Sequence, residues 1–346
     1  MSSRRARAAS PLTDRPKRFG EREIIALFER RLGAGAISRR GIEIGIGDDA
    51  AVLRSRGQRL VWTVDTCVEG VHFRRDWLGL ADVGYRSLQA AASDLAAMGA
   101  RALGALSSVV VPSSLVPAEL DELASGQAEA AASLGCPVIG GNLARGGELS
   151  VTTSVLGEAR RVLARSGASP GEELWLVGDV GLAAGGLEML RRTRAVRNPG
   201  AARACLAAWR RPQALLARGQ QLVGRATAAI DVSDGLSGDA RRLAEASSAR
   251  ILIDEALLRA ALRRELEQLA RELGVDPLEL ALRGGEDYAL LATGKAARRP
   301  SFASRIGRVE RGSGVFLSRT SGSSTPLGEG FDHFRGRGVS ARQSRD

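Results

Sequence analysis

The sequence predicts an α+β fold made of two α/β-sandwich domains. The chain has 346 residues, 44% of them hydrophobic, which is enough for two domains of ordinary size with real cores. In its first half, strand patterns are interleaved with two helical patterns, as in a sheet covered by helices on one face. A turn-rich stretch, "SGASPG", then introduces a second series of elements near Arg165. We therefore expect one domain over residues 19–160 and a second over 161–335.

The first domain is predicted to begin with two strands and a long helix. The strands cover 46–53 and 59–66 and are joined by a turn that contains glycine. Asp82 is a candidate N-cap for a helix that runs to about Met98, because apolar residues recur there at helical spacing.

Two prolines mark the elements that follow. The strand "GALSSVVVP" stops at Pro112, and Pro117 occupies the first turn of a second helix, where proline is tolerated. The strands "PVIGG" and "LSVTTSVLGE" complete the first domain.

The second domain is predicted to contain strands and helices in less regular alternation. In order, they are a strand over 173–179, a helix over 181–192, two short helices within 200–222, the strand–loop–helix run "AAIDVSDGLSGDARRLAEA", a strand over 249–254, a helix over 255–273, and a glycine turn with a strand in "GGEDYALLAT".

The two ends of the chain are predicted to be irregular. Residues 1–18 are basic and lack the apolar segment of a secretory signal, so we expect a disordered arm, and 336–346 form a loose polar tail. No apolar run approaches the ~20 residues that span a bilayer. The three cysteines are widely spaced and form neither a metal pattern nor a disulfide framework, which favours reduced thiols in a cytoplasmic protein.

The net charge of +11 raises nucleic acid as a possible partner. Lysine occurs only at Lys17 and Lys295, and the many arginines are spread over helix faces and both tails. The sequence also lacks the mixture of basic and aromatic residues that would suit base stacking. Binding to nucleic acid therefore rests on net charge alone, and we expect a solvated surface that would also favour a phosphate-bearing small substrate.

Acidic residues fall at the ends of predicted elements throughout the chain. They are Asp48, Asp49, Asp65, Asp94, Asp231, Asp234, Glu286 and Asp287. Taken singly, Asp94 would be a solvated helix residue and Asp234 a helix cap. Taken together, several carboxylates in apolar surroundings indicate a site for hard divalent cations, because a buried unpaired carboxylate is costly. Oxygen ligands favour Mg²⁺, and the two histidines, His72 and His333, are too few for a zinc site.

Glycine turns accompany these carboxylates in "GIGDD", "IGGN" and "GGED". Glycine allows backbone N–H groups to approach phosphate oxygens, so the pattern indicates a polyphosphate ligand. The sequence has no GxxxxGK[ST] loop, no GxGxxG at a helix start and no protein-kinase loops, so a nucleotide would be held in another way.

Seven motifs together resemble those of the thiamine-monophosphate kinase family. They are "GIGDDAAVL", "VDTCVEGVHF", "SDLAAMGA", "IGGN", "ARSGASPGE", "IDVSDGL" and "GGEDYALL", in this order from about residue 19 to residue 334. The family belongs to the aminoimidazole-ribonucleotide-synthetase-like ATP-binding superfamily. The resemblance implies ATP-dependent conversion of thiamine phosphate to thiamine diphosphate with several Mg²⁺ ions. It also implies a homodimer whose N-terminal domains form a shared barrel, with the active site near the interface.

The resemblance also implies roles for single residues. Metal positions match Asp48, Asp65, Asp94 and Asp231, with Thr63 and Asp234 as further ligands; nucleotide contacts match Gly141, Arg165 and Ser233; substrate contacts match His72, Glu286 and Phe331. The family motif Gly-Gly-Asp is "GGN" here, so Asn142 replaces the carboxylate at a metal and ATP position. An amide offers oxygen without charge. We expect either a more weakly bound metal or compensation by a carboxylate such as Asp49.

Such a site suits in-line phosphoryl transfer, which depends on positioning and charge neutralisation more than on a protein nucleophile. Two alternatives remain within the superfamily: another ATP-using activity, or a catalytically impaired nucleotide-binding relative. Asn142 is the reason to consider the second. The cysteines disfavour two named relatives. A selenophosphate synthetase would carry a reactive cysteine near its N-terminus and a hydrogenase-maturation protein one at its C-terminus, whereas Cys67 is first and Cys205 last here.

Overall fold

The computed structural model describes residues 42–44, 48–55, 57–192 and 196–328. The predicted arm over 1–18, the tail over 336–346 and the candidate substrate contact Phe331 lie outside these residues. Within the described part of the chain, no helix is both long enough and apolar enough to span a bilayer.

The first sheet has six strands in the order β1-β2-β3-β6-β4-β5. They are β1 (Ile42–Ile44), β2 (Ala51–Ser55), β3 (Gln58–Val68), β4 (Arg101–Pro112), β5 (Val138–Gly146) and β6 (Ser150–Ala159). Only β4 and β5 pair in parallel. Two helices, α1 (Leu80–Ala97) and α2 (Pro117–Leu134), lie on one face of this sheet.

Strand β3 shows how this sheet divides its two faces. Val61, Thr63 and Cys67 are buried toward the helices, whereas Trp62 and Val64 on the opposite face are 51% and 62% exposed. Because side chains alternate along a strand, Asp65 shares the helix-covered face with Thr63. The period of two thus carries the candidate ligands into the interior and leaves an apolar face uncovered.

The second sheet has seven strands in the order β13-β12-β9-β11-β7-β10-β8. They are β7 (Glu173–Val177), β8 (Ala228–Val232), β9 (Arg250–Asp254), β10 (Ala289–Gly294), β11 (Ser304–Glu310), β12 (Gly314–Ser318) and β13 (Ser324–Pro326). Its helices are α3 (Leu182–Arg192), α4 (Pro199–Arg210), α5 (Leu216–Leu222), α6 (Leu236–Ala246), α7 (Glu255–Ala261), α8 (Arg264–Leu273) and α9 (Pro277–Arg283). Two mixed sheets flanked by helices confirm the predicted α+β class.

Helix α1 belongs to the cores of both halves of the chain. Leu88, Ala91 and Leu95 are fully buried and join a core that also includes Trp175 and Leu290 of the second sheet. Gly219 of α5 crosses α1 so closely that a Cβ at this position would lie 1.9 Å from the Ala96 carbonyl oxygen. Burial on all sides explains why α1 is apolar or small over most of its length.

Several element boundaries differ from the sequence prediction. Of the strand predicted over 46–53, residues 46 and 47 lie outside the described residues, and strand β2 begins only at Ala51 after a bend at Asp49 and Ala50. Helix α1 begins after Gly79, and Asp82 lies in its first turn, paired with Arg211. The single helix predicted over 255–273 is two helices, since Leu262 is extended between them.

Helices α1 and α2 cross at two glycines, which gives a first expected result. A Cβ at Gly126 would lie 1.8 Å from the Ala81 carbonyl oxygen, and one at Gly84 2.0 Å from that of Leu123. We expect Gly126→Ala to lower the free energy of unfolding by ~1–3 kcal/mol through overpacking. Gly147→Ala is the matched control, because a Cβ there meets nothing within 4 Å. Equal melting temperatures for both variants would contradict this close crossing.

Candidate active site

A cleft of about 630 Å³ lies where the two halves of the chain meet. The first half contributes Asp65 and Asp94, and the second contributes Asp231, Ser233 and Glu286. The volume falls within the range of small-molecule sites. Five residues that the sequence analysis singled out at distant positions therefore line one cavity.

Three carboxylates converge beside this cleft. Oxygens of Asp49, Asp94 and Asp231 all lie within 4.8 Å of one another. Asp49 comes from the turn before β2, Asp94 from the last turns of α1, and Asp231 from the buried strand β8. Asp49 and Asp231 are 8% and 4% exposed. Negative charges at this distance and with so little access to water repel one another unless protons or a cation neutralise them.

Each of the three carboxylates is held by a different neighbour. The Thr63 hydroxyl donates to Asp94 Oδ2, and the Ser93 hydroxyl donates to Asp231 Oδ2 at 2.8 Å. The Arg165 guanidinium donates to Asp49 Oδ1 through Nη2 at 2.6 Å and through Nε at 3.1 Å. Asp49 Oδ2 is buried and has no hydrogen-bond partner among the described residues.

Burial shifts the titration of this group. Desolvation, followed by repulsion from Asp231 and Asp49, raises the pKa of Asp94 well above its usual value. Desolvation is also the main cause that raises the pKa of Asp231 and of Asp49, with Arg165 opposing it at Asp49. Burial raises the pKa of Asp65 as well. Without a bound cation, these carboxyl groups are therefore harder to ionise than carboxyl groups in water.

Asp48 and Asp49 divide between two tasks. The Asp48 carboxylate accepts the backbone N–H of Asp49 at 2.9 Å and that of Arg165 at 3.2 Å. Asp49, in contrast, joins the cluster with Asp94 and Asp231. One carboxylate therefore ties the β2 turn to the start of the second half, while its neighbour faces the acidic cluster.

The loop that carries Ser233 and Asp234 is fixed from beneath by Asp239. The Asp239 carboxylate accepts both backbone N–H groups of that loop at 3.1 Å. Arg242 pairs with Asp234 at 2.6 Å and with Asp239 at 2.5 Å. Desolvation raises the pKa of Asp239 to about 7, partly opposed by Arg242.

The "GGED" loop packs directly on the loop of Ser233. The Glu286 N–H donates to the Ser233 carbonyl oxygen at 2.7 Å, and a Cβ at Gly285 would lie 2.4 Å from that same oxygen. Glu286 and Tyr288 have φ of 65° and 50°, values that residues with side chains rarely adopt. Asp287 points the other way and accepts the Gly181 N–H at the start of α3. This geometry leaves Glu286 on the cleft wall.

Aromatic residues form another part of the wall. Phe73, Trp77 and Trp209 line the cleft, and His72 lies beside them. His72 Nδ1 accepts the Val68 N–H at 3.0 Å, which fixes the ring orientation. An apolar, aromatic region next to buried acids suits a ligand that has a flat ring at one end and phosphate at the other.

Gly141 and Asn142 lie elsewhere in the single chain. The register places Gly141, Ser107, Thr153 and Asp65 in one row across four strands, so Gly141 is three strand spacings, roughly 14 Å, from Asp65. Asn142 is exposed on the edge strand β5, on the face away from the helices. Neither residue lines the cleft.

The acidic cluster fits a hard divalent cation. Its donors are carboxylate oxygens, and the unpartnered Asp49 Oδ2 offers a ligand atom that the protein itself does not use. Burial and mutual repulsion raise the pKa of Asp94 and of Asp231, and a bound cation would favour their ionised forms. Asp65 and Asp234 also line the cleft but lie outside the group of three.

Four residues of the site were not assigned a role from the sequence. Asp239, Arg242, Arg86 and Trp209 lie behind or along the cleft wall through contacts between distant segments. An arginine within a helix that consists largely of alanine and leucine is the one signal that could have found Arg86. For Asp239, the short distance to Asp234 in "SDGLSGD" suits a loop anchor.

Comparison with known proteins finds relatives that share one name. Residues 47–159 match the family model "AIR synthase related protein, N-terminal domain". The thiamine-monophosphate kinase of Aquifex aeolicus is 33% identical over 88% of this chain and 95% of its own length. That of Escherichia coli K12 is 36% identical over 79% of this chain and 82% of its own length.

Solved structures with similar folds include a relative of the same name. The structure described as AaThiL complexed with AMPPCP and TMP superposes with a TM-score of 0.84 at 32% identity, covering 94% of this chain and 100% of its own. An E. coli hydrogenase maturation protein, HypE, shares the fold with a TM-score of 0.64 at 19% identity.

Proposed function

This chain belongs to the thiamine-monophosphate kinase family, and we propose that it makes thiamine diphosphate by direct in-line transfer of the γ-phosphoryl group of ATP to thiamine monophosphate. The observation that carries the proposal is the cluster of three carboxylates, two of them buried, at a cleft built from both halves of the chain. A relative at 32% identity was solved with AMPPCP and TMP, which supports the two substrates.

In the proposed reaction, a phosphate oxygen of thiamine monophosphate attacks the γ-phosphorus of ATP. The bond from that phosphorus to the β–γ bridging oxygen breaks, and ADP leaves. A phosphate monoester is largely ionised near neutral pH, since its second pKa is ~6, so no strong general base is required. The protein contributes position and charge rather than a covalent nucleophile.

Residue roles follow from position in the cleft and from the family resemblance. Mg²⁺ would be held by Asp49, Asp94 and Asp231; when bound, it would neutralise the charge between the two phosphorylated substrates. The family resemblance adds Asp48, Thr63, Asp65 and Asp234 as ligands, of which Asp65 and Asp234 line the cleft. Arg165 and Ser233 would contact ATP. His72, Glu286 and Phe331 would contact thiamine phosphate, whose thiazolium cation suits a carboxylate and aromatic faces.

We also propose a homodimer formed through the uncovered face of the first sheet. Trp62, Val64 and Leu106 leave apolar area exposed there. Such a face on a monomer is unusual, and a second copy would bury it as the shared barrel implied by the resemblance. Gly141 and Asn142 lie at its edge, so they would reach a nucleotide only across that interface. The three buried cysteines, all free, suit the cytoplasmic location included in the proposal.

The dimer gives a second expected result. Leu106 is 46% exposed in the middle of the uncovered face, so Leu106→Asp would bury an unpaired charge in the interface. We expect the wild type to sediment as a dimer and the variant at half that mass. Val116→Asp is the matched control, because Val116 is 52% exposed at the start of α2. A monomeric wild type, or a variant that still dimerises, would contradict the proposal.

The proposed reaction is tested by incubating the purified chain with ATP, MgCl₂ and thiamine monophosphate. We expect one ADP for each thiamine diphosphate formed and no product from unphosphorylated thiamine, because phosphate is the acceptor. Release of inorganic phosphate without thiamine diphosphate would overturn the assignment in favour of another ATP-using activity. Binding of ATP without turnover would favour the catalytically impaired relative.

A further inference from the structure

Arg86 is a buried cation that links three parts of the cleft. It lies on α1, and its side chain is only 1% exposed. Its Nη2 lies 2.6 Å from Oε2 of Glu286, and its Nη1 donates to the Trp209 carbonyl oxygen at 2.8 Å. Its guanidinium carbon also lies 5.4 Å from the centre of the Trp209 ring. A side chain from the first half thus contacts two wall residues of the second.

The charge of Arg86 is costly where it lies. Its Nε is buried without a hydrogen-bond partner among the described residues. A buried ion pair is often no better for stability than apolar side chains of similar volume, so cohesion between the two halves does not require a guanidinium here. A role in positioning the residues that the guanidinium contacts would explain why a charged side chain is kept at this place.

One contact of Arg86, Glu286, faces the ligand space. The Glu286 side chain is 25% exposed and lines the cleft, whereas Trp209 lies in the cleft wall and is 2% exposed. Oε2 of Glu286 is engaged by Arg86, which leaves Oε1 for a ligand. The Glu286 backbone has a φ of 65°, so its loop is held in a conformation of higher energy that needs an anchor.

We propose that Arg86 is a positioning residue for the thiamine end of the cleft, where it fixes the Glu286 carboxylate toward the cationic ring of the substrate. The inference rests on the proposed function, because it assigns Glu286 to that substrate. Arg86 itself touches neither substrate; it acts from inside the protein through Glu286, which would touch thiamine monophosphate.

A positioning role for Arg86 and a role in holding the two halves together predict different effects on substrate binding and on the melting temperature. If Arg86 acts through Glu286, its loss weakens binding of thiamine monophosphate and leaves ATP binding nearly unchanged. If it only joins the two halves, its loss lowers the melting temperature and disturbs both substrates alike. The ion pair Arg101–Glu158 provides a matched control, because it is exposed and lies on the first sheet away from the cleft.

The test compares Arg86→Met, Arg86→Lys, Glu286→Gln and the double variant Arg86→Met/Glu286→Gln in steady-state kinetics, with Arg101→Met as control. We expect Arg86→Met to raise the KM for thiamine monophosphate about tenfold, equivalent to ~1.4 kcal/mol, with the KM for ATP within about twofold. Arg86→Lys keeps the charge and should recover most of this loss. The double variant should be no worse than Glu286→Gln alone, because both changes remove one interaction.

Equal increases in both KM values, or additive effects in the double variant, would overturn the proposal. If Arg86→Met does not fold, Arg86→Lys decides: a two- to threefold rise in the KM for thiamine monophosphate alone is expected, and no rise, or an equal rise for ATP, overturns it. Titration of tryptophan fluorescence with thiamine monophosphate, without ATP, separates this inference from the proposed function. Binding that weakens in Arg86→Met supports the inference even without turnover, and absence of binding to the wild type overturns it.

Discussion

Asp94→Asn and Asp231→Asn are each expected to lower kcat by about 100-fold or more. Both side chains line the cleft and belong to the cluster within 4.8 Å, so each change removes charge that would hold the cation at the transferring phosphate. Asparagine keeps the size and one oxygen, so the loss would report charge rather than shape. The measurement is kcat with both substrates saturating.

Asp121→Asn is the matched control for these variants, since Asp121 is exposed on α2. It should have wild-type turnover. If Asp94→Asn and Asp231→Asn were also near normal, the cluster would be a set of buried hydrogen-bonded side chains rather than the cation site of the proposed reaction.

Removing divalent cations is expected to abolish activity and to lower thermal stability. Chelation followed by gel filtration should leave no measurable thiamine diphosphate formation, and Mg²⁺ or Mn²⁺ should restore it. A cation at a hundred times its Kd would stabilise the folded protein by ~2.7 kcal/mol, which a thermal shift detects. Full activity after exhaustive chelation would contradict the proposed metal dependence.

The same thermal measurement separates the cation site from general ionic effects. Asp94→Asn removes one of three mutually repelling carboxylates, so the metal-free variant should melt no lower than the metal-free wild type. The increase that Mg²⁺ causes should then be lost in Asp94→Asn and kept in Asp121→Asn. An equal increase in both variants would place the stabilising cation elsewhere.

The alternation of β3 and the helical spacing of α1 could be predicted from the sequence, because both elements bury residues in a regular pattern. The break at Leu262 could not be predicted, because "EALLRAALRRELEQLAREL" contains neither glycine nor proline. Tertiary packing decides it: α7 packs on β9 and β11, whereas α8 packs on α3 and α4, so the chain must turn between two partners.

For the site, residue type was more predictable than the division of tasks. The sequence showed two neighbouring carboxylates at 48 and 49, but these residues lie in a turn, where no period of two tells which one faces inward. The partner that decides is Arg165, which binds the Asp49 side chain and donates its N–H to Asp48. A contact across 116 residues has no local signal. The acids at Asp94 and Asp231 could be found because each stands next to apolar residues.

Helix α1 also limits how the enzyme can move. The Gly219 backbone lies directly on the Ala96 carbonyl, with no layer of adaptable side chains between the two halves at that point. A rigid-body hinge between the halves would have to pull this contact apart and wet Leu95 and Trp175. We therefore expect substrates to enter and products to leave without separation of the two halves, and heating should unfold both halves in a single cooperative transition.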